Sequence, residues 1–149
     1  DEKGYKSLRR FYIGSVVDAW DIADAAIKRL QLQAENDSLS VTASVRDVLA
    51  EPPSPCRYDV IVVSYFLERE LMPYLRQALK PGGLLYYQTF TQQRVSDRGP
   101  QRDSYRLAHQ ELLQMADDYY VVAYHEEGLS GDLQAGLRDE ACIVLQRPG

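Results

Sequence analysis

The stretch from Tyr58 to Thr91 constrains the fold more than any other part of the chain. It opens with the unbroken β-branched run Val60-Ile61-Val62-Val63, which predicts a strand covered on both faces. Apolar residues then recur at helical spacing between Glu68 and Leu79. Pro81-Gly82-Gly83 predicts a helix stop and a tight turn, and Leu84 to Phe90 predicts a second buried strand. A strand, a crossover helix and a strand indicate one right-handed βαβ unit of a parallel sheet.

The polar residues at the ends of these two strands are the first candidates for a binding site. In open α/β sheets, ligands bind at the carboxyl ends of the parallel strands. Ser64 and Tyr65 end the first strand of the unit, and Thr89 and Thr91 end the second. We therefore expect these four residues to lie on the functional edge of the sheet.

Strand and helix patterns also alternate on both sides of this unit. The predicted elements before it are a strand over Ser15–Trp20 that closes at Asp21, a helix over Asp24–Gln33 and a strand over Leu39–Val45. The predicted elements after it are a polar loop over Gln92–Ser104, a helix over Tyr105–Met115, and strands over Tyr119–Tyr124 and Ala141–Leu145. The last two strands are interpreted as an antiparallel hairpin on the edge of the sheet. This order predicts an α/β doubly wound fold with a mostly parallel sheet.

Composition limits the classes of partner. The 149 residues suit one domain, and the net charge of -5 gives no general reason to expect nucleic acid or an anionic membrane surface. No apolar run approaches the ~20 residues of a membrane span. Cys56 and Cys142 are far apart, which favours reduced thiols and a cytoplasmic location. His109 and His125 make no metal cluster with a nearby cysteine, so no metal is expected.

Four pieces of the sequence, in their order and spacing, resemble the class I S-adenosylmethionine-dependent methyltransferases. Within that family, they look most like the small bacterial methyltransferases of the tellurite-resistance type. The pieces are VVDAWDIADAAIKRL, SVRDVLAEP, YDVIVVSYFLER and LKPGGLLYYQTFT, of which the last is the most specific. They correspond to the family's second strand and following helix, the end of its third strand, its fourth strand, and its turn and fifth strand. The resemblance covers about Ser15 to Tyr124 and implies a Rossmann-like methyltransferase sheet with S-adenosylmethionine as cofactor.

The resemblance assigns the nucleoside half of the cofactor to the first two predicted strands. Asp21 would accept hydrogen bonds from both ribose hydroxyls, for which a carboxylate has enough lone pairs. Asp47 would accept from the adenine amino group, and the Val48 amide would meet a ring nitrogen. Trp20 and Ile22 would pack beside the ribose and the adenine.

The resemblance assigns the methionine half to the βαβ unit, where Ser64 and Tyr65 would lie near the transferred methyl group. Tyr65 and Tyr87 are candidate aromatic faces for a cation. Methyl transfer is an in-line displacement, so proximity and water exclusion supply most of the acceleration. Where the acceptor must lose a proton, Tyr65, Glu68 or His109 could take it. The structural alternatives are a helix cap for Ser64 and a first-turn residue facing the helix dipole for Glu68.

The glycine-rich first loop of the family is the piece without a clear counterpart. In the family, this loop lets the backbone approach the cofactor where any side chain would block it. Gly4 would be the last glycine of the loop, with its strand cut off, or residues could be missing before Ser15. Alternatively, the chain is a degenerate relative that binds no cofactor.

The resulting expectation is a single methyltransferase-like domain over residues 1–149. It would transfer a methyl group from S-adenosylmethionine to a small-molecule acceptor, because no added nucleic-acid-binding or protein-binding domain is visible. One alternative is a non-catalytic methyltransferase-like domain that serves as a binding module or scaffold. Another is a different nucleotide-binding Rossmann domain, such as a dehydrogenase fragment, although the Pro-Gly-Gly turn and the final hairpin argue against it.

Overall fold

A computed structural model describes residues 16–149, and the predicted cofactor contact Gly4 lies outside them. The chain divides into two compact units, the first ending at Pro52 and the second running from Pro53 to Gly149. The expectation of a single methyltransferase domain stays a prediction.

The first unit contains a parallel pair of strands and one helix. Strand β1 (Val17–Asp21) and strand β2 (Val41–Val45) pair in parallel, with Asp21 opposite Val45. Helix α1 (Asp24–Asn36) connects them and buries Ile27 and Ala34, which lie seven residues apart and so share one helical face. All three elements were predicted, and α1 continues past Gln33, where the apolar pattern ended.

The second unit contains a four-stranded mixed sheet. Its strands are β3 (Tyr58–Ser64), β4 (Leu79–Phe90), β5 (Tyr120–Glu126) and β6 (Glu140–Gln146), in the spatial order β3-β4-β6-β5. Strand β3 is parallel to β4, whereas β6 is antiparallel to both β4 and β5. The predicted antiparallel hairpin is therefore confirmed, with β5 on the outside. Among the described strands, two pairs are parallel and two are antiparallel, so a mostly parallel sheet is not confirmed.

One face of the four-stranded sheet forms the core of the second unit. Helix α2 (Met72–Ala78) contacts β4, and helix α3 (Glu111–Met115) contacts β6. Side chains alternate across a strand, so every second residue of β4 and β6 faces this core. The buried residues of this core include Leu75, Leu85, Tyr87, Leu112, Ile143 and Leu145.

The Pro81-Gly82-Gly83 segment follows the end of α2 at Ala78 and lies within the bounds of β4. The β3–β4 ladder shifts register beside it, between Tyr58 and Val60, and Gly82 has a φ of 77°, as the third residue of a type II tight turn does. A Cβ atom on Gly83 would lie 2.9 Å from the Lys80 carbonyl oxygen and 3.1 Å from that of Asp59. Gly83 is therefore required by the close approach of the backbone, whereas Gly82 is favoured by its positive φ.

Adding a methyl group at Gly83 tests this close approach. We expect Gly83→Ala to lower the free energy of unfolding of the second unit by about 1 to 3 kcal/mol, because the backbone oxygens cannot move without breaking the β3–β4 ladder. Gly149→Ala is the matched control, because nothing lies within 4 Å of a Cβ built there. Urea unfolding followed by far-ultraviolet circular dichroism measures both variants, and equal stabilities would contradict the expectation.

The helix predicted over Tyr105–Met115 is wrong in its first half. Only Glu111–Met115 is α-helical, preceded by a short 3₁₀ turn at Asp103–Tyr105. Leu107 instead forms a parallel bridge with Thr91, and Gln110 has a left-handed φ of 61°. At Leu107, backbone pairing with the segment around Thr91 replaces helical hydrogen bonds. The helix predicted between Glu68 and Leu79 is present from Arg69 to Ala78, as a 3₁₀ turn over Arg69–Leu71 followed by α2.

Within residues 16–149, no helix is both long enough and apolar enough to cross a membrane.

Candidate functional site

Asp21 and Asp47 lie at the carboxyl ends of the two neighbouring strands of the first unit. Asp21 ends β1, and its carbonyl oxygen accepts the Arg46 amide at 3.0 Å, one residue before Asp47. Both aspartate residues are exposed. The structure therefore brings the two predicted nucleoside-binding carboxylates to the same edge of one parallel strand pair.

Each of these carboxylates uses one oxygen to hold a local turn. Asp21 Oδ1 accepts the Ala23 amide at 2.8 Å, just before α1 begins. Asp47 Oδ1 accepts the Leu49 amide at 3.0 Å and the Ala50 amide at 3.3 Å. These turns fix the direction of each side chain, and a carboxylate has about four lone-pair sites in total. The remaining acceptor capacity fits a pair of ribose hydroxyls and an adenine amino group.

The apolar neighbours of these carboxylates differ in solvent exposure. Ile22, next to Asp21, is 69% exposed, as expected of a residue that would cover a planar ligand. Trp20 is half-buried, and the Arg46 guanidinium lies 4.1 Å from the centre of its ring. Two carbonyl oxygens, of Glu51 at 2.7 Å and Pro52 at 2.9 Å, hold that guanidinium in place. Val48 is half-buried next to Asp47.

In the second unit, Ser64 and Tyr65 stand where β3 ends. Ser64 is exposed, and the 3₁₀ turn that follows has Glu68 at its N-cap with no side-chain cap, so Ser64 does not have the structural role of a cap. Tyr65 has a left-handed φ of 56°, which costs a bulky residue roughly 1 to 2 kcal/mol. Its amide donates to the Gln88 carbonyl at 2.8 Å, and its ring lies 5.2 Å from that of Phe90. Backbone strain held in this way is concentrated at functional sites.

A buried carboxylate, Glu140, joins the side chains around Tyr65. Glu140 is 3% exposed at the start of β6. Glu140 accepts one hydrogen bond from Gln88 Nε2 at 2.6 Å and one from Arg98 Nη2 at 2.7 Å. It also accepts from Tyr65 Oη, which lies 3.3 Å from each carboxylate oxygen of Glu140. The Tyr86 hydroxyl in turn donates to Gln88 Oε1. We call Tyr65, Gln88, Arg98 and Glu140 the Glu140 cluster.

The phenols beside this carboxylate stay protonated near neutral pH. Burial raises the pKa of Tyr65, and the negative charge of Glu140 raises it further, against a smaller opposing effect of Arg98. Burial, followed by Cys142, raises the pKa of Tyr86 to about 12. A phenol whose ionisation is suppressed is a poor proton acceptor, which argues against Tyr65 as the general base.

Glu68 and His109, the other two predicted proton acceptors, have hydrogen-bond partners within the fold. Glu68 is half-buried at the start of the 3₁₀ turn, where its carbonyl oxygen accepts the Leu71 amide at 3.2 Å. His109 Nδ1 lies 3.1 Å from Oε1 of Glu126, whose side chain is buried, and His125 Nε2 lies 2.6 Å from Glu127 Oε1; both imidazoles are exposed. In the part of the chain that the structure describes, no three His, Cys, Asp or Glu side chains are arranged to hold a metal ion.

Two residues predicted on the functional edge, Thr89 and Thr91, are instead buried in the second unit, and so is Tyr87, which was predicted to offer a face to a cation. Tyr87 is 1% exposed, and its hydroxyl donates to the Phe66 carbonyl at 2.7 Å, so it offers no free face to a cation. Thr89 and Thr91 are buried as well, and Thr91 Oγ1 donates to the Gln93 carbonyl at 2.7 Å. Strand alternation explains the outcome, because Tyr87, Thr89 and Thr91 share the core face of β4 and its continuation.

The sequence interpretation missed three buried charged residues, Arg106, Asp139 and Glu140. Asp139 and Glu140 come directly before the last strand, which is antiparallel to β4. The amino end of an antiparallel strand lies at the same edge as the carboxyl ends of its parallel neighbours. An acidic pair before the final strand was therefore the signal that could have identified Glu140.

Asp139 and Arg106 fix the position of the arginine-containing loop over residues 92–104. Asp139 Oδ1 accepts the Val95 amide at 2.5 Å and the Ser96 amide at 3.1 Å, while its Oδ2 accepts the Ser96 hydroxyl at 2.5 Å. Arg106 donates to three carbonyl oxygens, of Pro100 at 2.7 Å, Thr91 at 2.8 Å and Arg98. The loop is thereby fixed at the edge where Arg98 reaches Glu140.

Solved structures that share this fold include S-adenosylmethionine-dependent methyltransferases, which confirms at the level of the fold the class I resemblance seen in the sequence. No protein-family profile matches the sequence, and no curated protein sequence matches it.

Three particular structures illustrate the similarity. TehB from Haemophilus influenzae is 22% identical, with a TM-score of 0.69 over 91% of this chain and 51% of that one. The chain thus spans about half the length of that protein. The N-methyltransferase NodS from Bradyrhizobium japonicum WM9 is 16% identical, with a TM-score of 0.67 over 90% of this chain and 74% of that one. The cyclase SpnF is 14% identical, with a TM-score of 0.71 over 97% of this chain and 71% of that one. The fold therefore carries more than one chemistry.

Proposed function

We propose that this chain acts as an S-adenosylmethionine-dependent methyltransferase on a small-molecule acceptor. The observation that carries the proposal is the placement of Asp21 and Asp47 at the ends of adjacent parallel strands, each oriented by its own turn. A bacterial and cytoplasmic setting, suggested by the sequence resemblance and the two free cysteines, belongs to the same proposal.

The first unit would bind the nucleoside. Asp21 accepts hydrogen bonds from the two ribose hydroxyls, Asp47 accepts from the adenine amino group, and Ile22 covers the apolar face of the base. Asp21 keeps its hydrogen bond to Ala23 throughout, so the carboxylate does not have to reorganise when the ligand enters. S-Adenosylmethionine supplies the electrophilic methyl group when it is bound.

The second unit would orient the acceptor. Tyr65 and Ser64 stand at the tip of β3, and the Glu140 cluster fixes the Tyr65 ring. Displacement at a sulfonium requires alignment more than proton transfer, which fits an edge whose phenols stay neutral.

Titration with S-adenosylhomocysteine by calorimetry tests the proposed function. We expect binding by the wild-type chain and a loss of at least about tenfold in affinity in Asp21→Ala, since removing a bidentate charged acceptor costs about 1.5 to 3 kcal/mol. Asp24→Ala is the matched control, because Asp24 is also an exposed aspartate of the first unit and pairs only with Lys28 in the described contacts. Unchanged affinity in Asp21→Ala would overturn the assignment of the ribose site.

A non-catalytic scaffold is the second candidate function. Two observations favour it. One carboxylate oxygen of Asp21 and one of Asp47 already accept hydrogen bonds within local turns, and the Arg46 guanidinium lies over the ring of Trp20. A chain that folds but does not bind S-adenosylhomocysteine would support this candidate over the enzyme.

A further inference from the structure

The outermost strand of the four-stranded sheet, β5, begins with an exposed apolar run. Among residues 16–149, β5 pairs with β6 alone, so its other side carries no strand. The exposed fractions are 61% for Tyr120, 46% for Val121 and 58% for Val122. An unpaired strand side presents a row of backbone N–H and C=O groups that another strand can satisfy. We call the side of β5 that faces away from β6 the β5 edge.

The sequence of β5 does little to protect this edge. Natural edge strands are commonly protected by lysine or proline, or by a charge that an approaching strand would bury. The strand, YVVAYHE, contains no lysine, arginine or proline. Its acidic residue, Glu126, is satisfied inside the unit, where it accepts the Tyr124 hydroxyl and the Gln110 amide. Its charge therefore does not guard the β5 edge.

A bulge at Val122 makes the β5 edge self-complementary. Val121 and Tyr124 lie opposite buried residues of β6, so both side chains point to the core face of the sheet. Tyr120 and His125 lie opposite half-buried residues of β6 and point to the other face. Val121 and Tyr124 are three residues apart, and they share a face because Val122 is the extra residue at the register shift. The faces therefore run in mirrored order on the two sides of the bulge.

We propose that the β5 edges of two copies of this chain pair as antiparallel strands, around a two-fold axis that passes beside Val122. Val121 of each copy then lies opposite Tyr124 of the second copy on the core face. Tyr120 likewise lies opposite His125 of the second copy on the other face. Such cross-strand pairs of aromatic and β-branched side chains stabilise a sheet. The same surface serves both copies, as a closed two-fold dimer requires, and two four-stranded sheets become one continuous sheet.

The charges at the ends of β5 are compatible with this pairing. The two-fold axis places the start of one strand beside the end of the other. Asp117, before the strand, is paired with an arginine of α2, and Glu127, after the strand, is paired with Arg138. The exposed Asp118 of one copy therefore approaches a carboxylate of the other whose charge Arg138 already balances. The like-charge repulsion between the two copies is correspondingly small.

The size of the contact sets the expected strength of the dimer. Seven residues at about 3.4 Å each give an edge about 24 Å long. One strand edge of this length buries less than the roughly 1,200 Å² of a stable interface. We therefore expect a reversible dimer with a Kd of about 10 to 100 μM.

Sedimentation equilibrium of the whole chain from about 5 to 500 μM tests the proposal, because mass action populates the dimer over this range. Val122→Lys should raise the Kd at least about tenfold, because the axis brings two new ammonium groups together in a strand edge. Leu129→Lys is the matched control, since Leu129 is 54% exposed and lies after β5. A wild-type chain that stays monomeric, or a dimer that Val122→Lys does not weaken, overturns the proposal.

Hydrogen exchange of the wild-type chain tests the position of the contact without any substitution. We expect the backbone amides over residues 120–126 to exchange more slowly as the protein concentration rises, while those of β3 do not change. Slow exchange that is independent of concentration would show that the chain itself covers the β5 edge, which overturns the second copy as its occupant. A concentration effect confined to other segments would also overturn it.

Discussion

Replacing Arg106 by methionine should lower the free energy of unfolding of the second unit by about 3 to 4 kcal/mol. Arg106 is fully buried, and its guanidinium donates to the carbonyl oxygens of Pro100, Thr91 and Arg98. Methionine fills a similar volume but donates no hydrogen bond, so one buried and two part-buried carbonyl oxygens lose their partner together. Burial, reinforced by the nearby charge of Arg94, lowers the pKa of Arg106, against smaller opposing effects of Asp139 and Asp103.

Two substitutions separate the loss of hydrogen bonds from the loss of charge. Arg106→Lys retains the charge but has a single ammonium group, so we expect a smaller loss of about 1 to 2 kcal/mol. Arg102→Met removes an exposed arginine of the same loop and should change the stability by less than about 0.5 kcal/mol. Chemical unfolding by circular dichroism reports the second unit, while the fluorescence of Trp20, the single tryptophan, reports the first. Equal stabilities of Arg106→Met and Arg102→Met would contradict the role of Arg106.

Asp139→Ala should be the next largest loss, about 2 to 4 kcal/mol. It removes the acceptor of the Val95 and Ser96 amides and of the Ser96 hydroxyl. Asp139 also has a left-handed φ of 66°, a conformation that alanine tolerates less well than aspartate or asparagine. Asp139→Asn keeps both the shape and the backbone preference, so it should cost clearly less. Faster hydrogen exchange of the Val95 and Ser96 amides in Asp139→Ala alone would locate the effect in the loop.

The stability that Asp139 contributes should depend on pH in one direction. Burial tends to raise the pKa of its carboxyl, but the hydrogen bonds from Ser96 and Val95 outweigh it and hold the pKa below the ordinary value of 3.8. A group whose pKa is lower in the folded state stabilises fully above its unfolded value and loses that stabilisation as the pH falls through the folded value. The advantage of the wild-type chain over Asp139→Asn should therefore shrink below about pH 4. A difference that is constant from neutral to acidic pH would contradict this account.

The strand pattern was predictable because hydrophobic runs and turn residues are local signals. Val60 to Val63 predicts a buried strand from β-branching alone; β3 is found there, but Val60 is exposed and the other three residues are half-buried. The same reasoning gave β1, α1 and the final antiparallel pair. It did not reveal the close backbone approach at Gly83, because only the neighbouring strand β3 creates it.

The candidate site was predictable only where a residue ends or closely follows a parallel strand. Ser64 and Tyr65 were expected there from the strand pattern, and Asp21 and Asp47 from the family resemblance; the structure places all four at or just after strand ends. Tyr86 and Tyr87 show the limit of the approach. Alternation predicts that one of them is buried, but not which of the two, because a shift of one residue exchanges the faces.

The amino-acid sequence by itself determined the order of strands and helices and the acidic residues that follow β1 and β2, since these depend on spacing along the chain. Only the tertiary structure decided that Glu140, Arg98 and Tyr65 form one cluster, because they are brought together by an antiparallel strand pairing. Arg98 and Glu140 are 42 residues apart in sequence. No local pattern predicts such a contact, because its stability comes from the burial of a charge and from hydrogen bonds that exist only once the sheet has formed.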